Sequence, residues 1–169
     1  MKKCFLLLIC LGFVLTSRAQ SVSYEDHFTG ERLRIDLVFT GNATFQDVFL
    51  LSLHKESTWS GPKTRLIAPF TYGEYQYKIY SKQGDLIFSK GFNSLFMEWR
   101  TTREATLRDM AYNTSLWIPC PKDTVYCEVY ERIPKDGTYQ AMKKFLIDPS
   151  DCLISKEQPC CQAEILQDN

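Results

Sequence analysis

Histidine is nearly absent from this chain: His27 and His54 are the only two in 169 residues. No H-E-x-x-H occurs, and His54-Lys55-Glu56 has the wrong order, so the helical histidine pair that holds a catalytic zinc is missing. No C-x-x-C occurs and neither histidine lies near the cysteines, which argues against a structural zinc site. No cofactor is expected. A nucleophile has no support either, because neither a G-x-S-x-G elbow nor a Cys–His pattern is present. There is no run of five basic residues, which excludes the electrostatic footprint of a nucleic-acid binder and a polybasic membrane patch. Internal repeats and low-complexity tracts are absent as well.

What the sequence does have begins with an export leader. Met1-Lys2-Lys3 is a short basic segment, Cys4 to Thr16 is apolar, and Ser17-Arg18-Ala19 before Gln20 suits cleavage, so residues 1–19 read as a signal peptide. The apolar stretch is too short for a membrane span. No transmembrane segment is therefore expected after cleavage. Cys10 is not read as a lipid anchor, because Ile9 stands where a small residue is required. The remaining 150 residues suffice for one domain with a real core. They carry 17 basic and 20 acidic side chains, a balance of about −3.

Five cysteines follow the leader: Cys120, Cys127, Cys152, Cys160 and Cys161. In an exported chain the first reading of such residues is disulfide bonding, and the odd count leaves at least one over. Cys127 shares a strand face with Val125 and Val129, which places it in the core as a small apolar side chain. Cys152 is then the residue expected to close a loop, with Cys160 or Cys161.

The rest reads as strands. Leu33–Phe39 and Glu74–Tyr80 alternate, which puts Tyr75, Tyr77 and Ile79 on one face. Val48–Leu53 is a continuous apolar run, as for a strand covered on both faces. Further strands are expected at Asp85–Ser89, Leu107–Ile118, Thr124–Arg132 and Tyr139–Ile147. Turn residues separate them at Gly41-Asn42, Ser60-Gly61-Pro62, Gln83-Gly84-Asp85, Pro119–Asp123 and Pro134–Gly137. Such spacing predicts an all-β fold, a single antiparallel β-sandwich of Ig-like or jelly-roll-like form. One or two short helical turns at most are expected, around Leu95–Arg100 or Thr102–Leu107.

Several segments in a fixed order resemble one known family. They are Tyr24–Phe28 with Leu33-Arg34-Ile35-Asp36, then Phe39–Asn42, and Trp59-Ser60-Gly61 ahead of Arg65-Leu66. The longest is the run Gly91-Phe-Asn-Ser-Leu-Phe-Met-Glu-Trp-Arg-Thr-Thr-Arg-Glu-Ala105, followed by Ile118–Lys122 and Ile147-Asp148-Pro149. Together they resemble the N-terminal domain of the bacterial IgA-peptidase-type zinc metallopeptidases, over residues 24–149. The resemblance implies a β-sandwich without catalytic machinery of its own, ahead of a peptidase domain carrying the zinc helix. Here residues 150–169 follow instead, a tail with three cysteines. The organisation expected is thus leader 1–19, sandwich 20–149 and tail 150–169. With the leader, the resemblance also implies an exported protein, periplasmic or extracellular in a Gram-negative bacterium. Two sequons, at Asn42 and Asn113, and Asp123-Thr124-Val125 match glycosylation patterns formally and carry little weight in that setting.

Candidate site residues each have a structural alternative. Glu98 and Trp99 pair a carboxylate with an indole in a Gly-flanked loop, which suits stacking on a sugar or anchoring a partner. The favoured alternative is that Phe92, Leu95, Phe96 and Trp99 plug the sandwich while Glu98 accepts from loop amides. Trp59, Tyr72 and Tyr75 form a second candidate platform for carbohydrate, with burial again favoured. Trp117, between Leu116 and Ile118, is assigned to the core. His27 beside Asp26 reads as a surface residue of the first strand. The leading functional expectation is a non-catalytic binding or accessory module for a protein, a glycan or a separately encoded peptidase. The alternatives are the remnant of a truncated peptidase, or an enzyme of unfamiliar type using Asp36, Glu98 and Glu104.

Overall fold

The computed structural model describes residues 22–156. The leader and Cys160 and Cys161 lie outside the described residues. A four-residue helix α1 (Tyr24–His27) leads directly into β1 (Phe28–Gly41), where the sequence alone suggested strand. β2 (Gln46–Glu56), β3 (Tyr75–Tyr80), β4 (Leu86–Phe92), α2 (Leu95–Arg100) and a 3-10 turn (Glu104–Thr106) follow. β5 (Met110–Pro121), β6 (Val125–Arg132), β7 (Tyr139–Ile147) and β8 (Ser155–Lys156) complete the order. Two four-stranded sheets result, ordered β5-β1-β2-β8 and β4-β3-β6-β7. The fold is an all-β sandwich. All pairings between the named strands are antiparallel except β2 with β8, where Ser155 and Lys156 run parallel to His54 and Lys55.

Alternation builds the core. Leu33, Ile35, Leu37 and Phe39 of β1 point inward and meet Tyr75, Tyr77 and Ile79 of β3 and Val125, Cys127 and Val129 of β6, all at most 2 % exposed. The Phe39 and Tyr75 rings lie 4.8 Å apart across the sheets. Two phenols need partners inside this layer, since an unmatched buried hydroxyl is costly. Tyr77 Oη donates to the Trp117 carbonyl at 2.8 Å, and Tyr75 Oη donates to Gln46 Oε1 at 2.7 Å. Burial pushes the Tyr75 phenol up to about 12, the nearby Arg100 opposing it only in part.

Several expectations are corrected by sheet position. Val48–Leu53 is not covered on both faces: Phe49 and Leu51 are 45 % and 57 % exposed. A bulge opposite Asp36/Leu37 leaves Leu51 without a partner on β1 and breaks the alternation there. Pro119-Cys120-Pro121 is strand rather than turn, which β5 tolerates because it is an edge strand whose outer amides have no ladder to join. The strand expected from Leu107 starts only at Met110. Past residue 149, Ile154 is buried and Ser155-Lys156 adds to the first sheet, so the described part of the tail packs on the sandwich.

The turns follow side-chain chemistry. Asn42 Oδ1 accepts from the Thr44 and Phe45 amides, closing the β1–β2 hairpin. Gly41 has φ +136°, and a Cβ there would stand 2.2 Å from the Phe45 carbonyl oxygen, so only glycine fits.

Candidate functional site

The aromatic run 91–105 is spent on architecture. Ser94 Oγ accepts from the Phe96 amide at 3.2 Å and caps α2. One helical turn then drops Phe96 and Trp99 onto the end of the core, 0 % and 7 % exposed. Their rings stack 5.7 Å apart, and Tyr112 lies 5.8 Å from Trp99. Trp99 Nε1 donates to Glu104 Oε2 at 3.2 Å, and Arg100 Nε donates to the Asn42 carbonyl at 3.0 Å, tying the plug to the β1–β2 hairpin. Two details of the expected plug are corrected. Leu95 is 69 % exposed and takes no part. Glu98 is exposed, and the hydrogen-bonding roles assigned to it fall to Glu104 and Ser94.

Trp59 and Tyr72, thirteen residues apart, do come together. They line one groove of about 210 Å³ with Leu66, Phe88, Arg65 and Lys90. The groove forms because residues 66–68 lie along the free edge of β4: the Ser89 amide donates to the Leu66 carbonyl at 3.0 Å, and the Ala68 amide to Ser89 Oγ at 3.0 Å. Trp59 stands edge-on to Phe88 with ring centres 6.0 Å apart, and its Nε1 donates to the Pro62 carbonyl. Farther along, Tyr72 and Gly73 cross over Gly91, where a Cβ would meet the Tyr72 carbonyl oxygen at 2.0 Å. Tyr139 Oη holds this crossing by donating to the Tyr72 and Gly73 carbonyls. Tyr72 is left 47 % exposed. Tyr75 is a correction: it is wholly buried against Phe39 and Phe92 and belongs to no surface platform.

The outer face of the first sheet carries a polar cluster around Asp36, a carboxylate the sequence singles out, with partners the sequence does not indicate. Asp36 receives Ser115 Oγ at 2.6 Å, Ser52 Oγ at 3.0 Å and Arg34 Nε at 3.3 Å. His54 Nε2 lies 3.2 Å from Asp36 and 3.0 Å from Ser52 Oγ. Buried Glu56 bridges Arg34, at 3.1 Å, and Arg32. Burial works to raise the Asp36 carboxyl, but the hydrogen bonds from Ser115 and Ser52 and the Arg34 charge outweigh it and hold it below the ordinary carboxylate range. A Ser–His–Asp relay needs both ring nitrogens of histidine, one toward each partner. Here one nitrogen faces both partners, so the cluster has the form of a charge ladder.

Trp117 belongs to this outer row, opposite Arg34, and is 43 % exposed. Its assignment to the core is corrected: Leu116 and Ile118 point inward, and Trp117 shares the parity of Asn113 and Ser115. The second sheet's outer face has tyrosines, but lysines already cover them, Lys78 over Tyr130 at 4.5 Å and Lys144 over Tyr126 at 4.2 Å. Glu128 between them pairs with Lys144 at 3.0 Å and accepts from Tyr130.

His27 closes α1 and lines two clefts, with Asp26 and Asp85 beside one and Asp123 beside the other. Among the described residues, no three His, Cys, Asp or Glu side chains converge on a point that could hold a metal ion. Cys127 is fully buried, and burial pushes its thiol up to about 12. Cys120 is buried too, whereas Cys152 is exposed. The three are not joined to one another, and the expected partners of Cys152 lie outside the described residues.

No curated protein matches the chain. The family described as peptidase M64 N-terminus does, over residues 23–143, from the residue before α1 to the middle of β7. That span takes in β1 to β6 and the first half of β7, with the aromatic plug, the groove and the charge ladder. With most of its length matched to that family, the chain belongs to the peptidase M64 N-terminal domains.

Proposed function

We propose that this chain is an exported, non-catalytic accessory module that acts by binding. The observation that carries the reading is how its reactive side chains are engaged. Glu56 pairs with Arg32 and Arg34, Asp36 accepts from Arg34, Ser52 and Ser115 on the sheet face, and the aromatic run 91–105 gives Phe96 and Trp99 to the core. The Trp59–Tyr72 groove offers a recognition surface, with Trp59 half-buried against Phe88 and Tyr72 47 % exposed. The leader supports export, and membership of the M64 N-terminal family supports association with peptidase systems.

The test is direct. Purified protein is expected to hold no stoichiometric zinc by elemental analysis and to cleave neither casein nor immunoglobulin A. One tightly held zinc per chain, or proteolysis abolished by a chelator, overturns the reading.

A further inference from the structure

The groove between Trp59 and Tyr72 has an uneven distribution of charge. Arg65 and Lys90 stand in its wall, no carboxylate lines it, and neither cation has an ion-pair partner among the described residues. The residues beyond the leader carry more acid than base, so two unpaired cations beside two aromatic rings run against the trend of the chain. The walls are otherwise apolar, from Leu66, Ala68, Pro69 and Phe88. At about 210 Å³ the groove falls below the roughly 300–1,000 Å³ of drug-sized sites. It therefore suits one ring at a time. The tyrosines of the second sheet differ, because their faces are already covered by lysines.

We propose that this groove binds one carboxylated sugar residue, a hexuronic or a sialic acid, within an extracellular glycan. The C–H face of the ring lies against Trp59 and Tyr72, which supply rigid area with few rotors to freeze. The carboxylate lies between Arg65 and Lys90, where charge-assisted hydrogen bonds are stronger than neutral ones. Gly91 and Tyr139 act at a distance, by holding the Tyr72–Gly73 crossing in place. This proposal rests on the binding-module reading above and specifies its ligand.

The experiment is saturation-transfer NMR with the purified protein, followed by titration of its tryptophan fluorescence. The probes are a glucuronic-acid disaccharide, sialyllactose, and their neutral counterparts cellobiose and lactose. Binding of at least one acidic probe is expected, tenfold or more tighter than its neutral counterpart and weakening as salt rises; the two acidic probes separate uronate from sialate. Arg65→Gln, an exposed substitution that leaves the fold intact, is expected to reduce binding of the acidic probe at least fivefold, and the Arg65→Gln/Lys90→Gln pair to abolish the preference for acid. Equal binding of acidic and neutral sugars overturns the proposal. So does binding that survives the double substitution, and so does failure of every sugar to bind. A poly-glutamate peptide competing as well as the acidic sugar also overturns it, in favour of a protein partner. None of these outcomes bears on zinc or proteolysis, so the non-catalytic reading stands or falls separately.

Discussion

Replacing Trp99 with alanine tests whether the family's aromatic run is core or binding surface. Trp99 is 7 % exposed, packed against Phe96 and Tyr112, with its indole N–H bonded to Glu104. A tryptophan buries about 150–250 Å², worth about 4–6 kcal/mol at ~25 cal/mol per Å² as an upper bound. Core truncations of this size cost about 3–5 kcal/mol once the cavity partly collapses. The orphaned Glu104 carboxylate adds little, because it is 45 % exposed and water replaces the indole. Against a margin of about 5–15 kcal/mol, that loss leaves a folded but weakened domain in the favourable case. With a urea slope of about 2 kcal/mol/M, the midpoint falls by about 1.5–2.5 M. Trp117→Ala serves as the control. Its ring is 43 % exposed, so it is expected to cost less than half as much. Urea unfolding followed by circular dichroism reads both. An unchanged midpoint for Trp99→Ala, or an equal drop for Trp117→Ala, refutes the assignment of one tryptophan to the core and the other to the face.

The charge ladder predicts a pH dependence of known sign. Asp36 titrates below its unfolded value, so its contribution is full above pH ~4 and is lost as the pH falls through the folded value. The gap in urea midpoint between the parent and Asp36→Asn is therefore expected to narrow from pH 5 toward pH 2, and a gap independent of pH rules this out. In reduced native protein at pH 8, iodoacetamide is expected to label Cys152 quickly and Cys120 and Cys127 only after unfolding. Labelling of Cys127 at the rate of Cys152, seen by peptide mass mapping, contradicts its burial. Gly91→Ala is expected to cost about 1–3 kcal/mol or more, because the new Cβ meets the Tyr72 carbonyl. A thermal melt indistinguishable from the parent shows that the crossing is looser than described.

Reading the sequence alone determined the local features. Alternation is a property of neighbouring residues, so the bounds of Tyr139–Ile147 and the inward faces of β1 and β3 are legible in the sequence. A short helical turn at Leu95–Arg100 or Thr102–Leu107 is as far as the sequence reaches; the structure has a helix at the first and a 3-10 turn, Glu104–Thr106, within the second, and only the structure shows Ser94 as the cap. The family is legible too: the segments that resemble it, Ile147-Asp148-Pro149 aside, lie within the residues 23–143 that its model matches. Trp117 was misplaced although the signal was there: its parity with Asn113 and Ser115 marks the solvent side. Phe49 and Leu51 share one parity, opposite to Val48 and Leu50, but a continuous apolar run does not say which parity faces out; pairing with β1 decides it.

Only the tertiary structure decided what the sites are. The ladder joins Asp36 to Ser52 and Ser115, 16 and 79 residues away, and nothing local to Asp36 specifies either partner. The groove depends on residues 66–68 lying along the edge of β4, which brings Trp59 and Tyr72 to Lys90 while the same fold buries Tyr75. Parity assigns a side chain to a face of its own strand. Which strand lies beside it, and whether another layer covers that face, is set by pairing and packing across the whole chain.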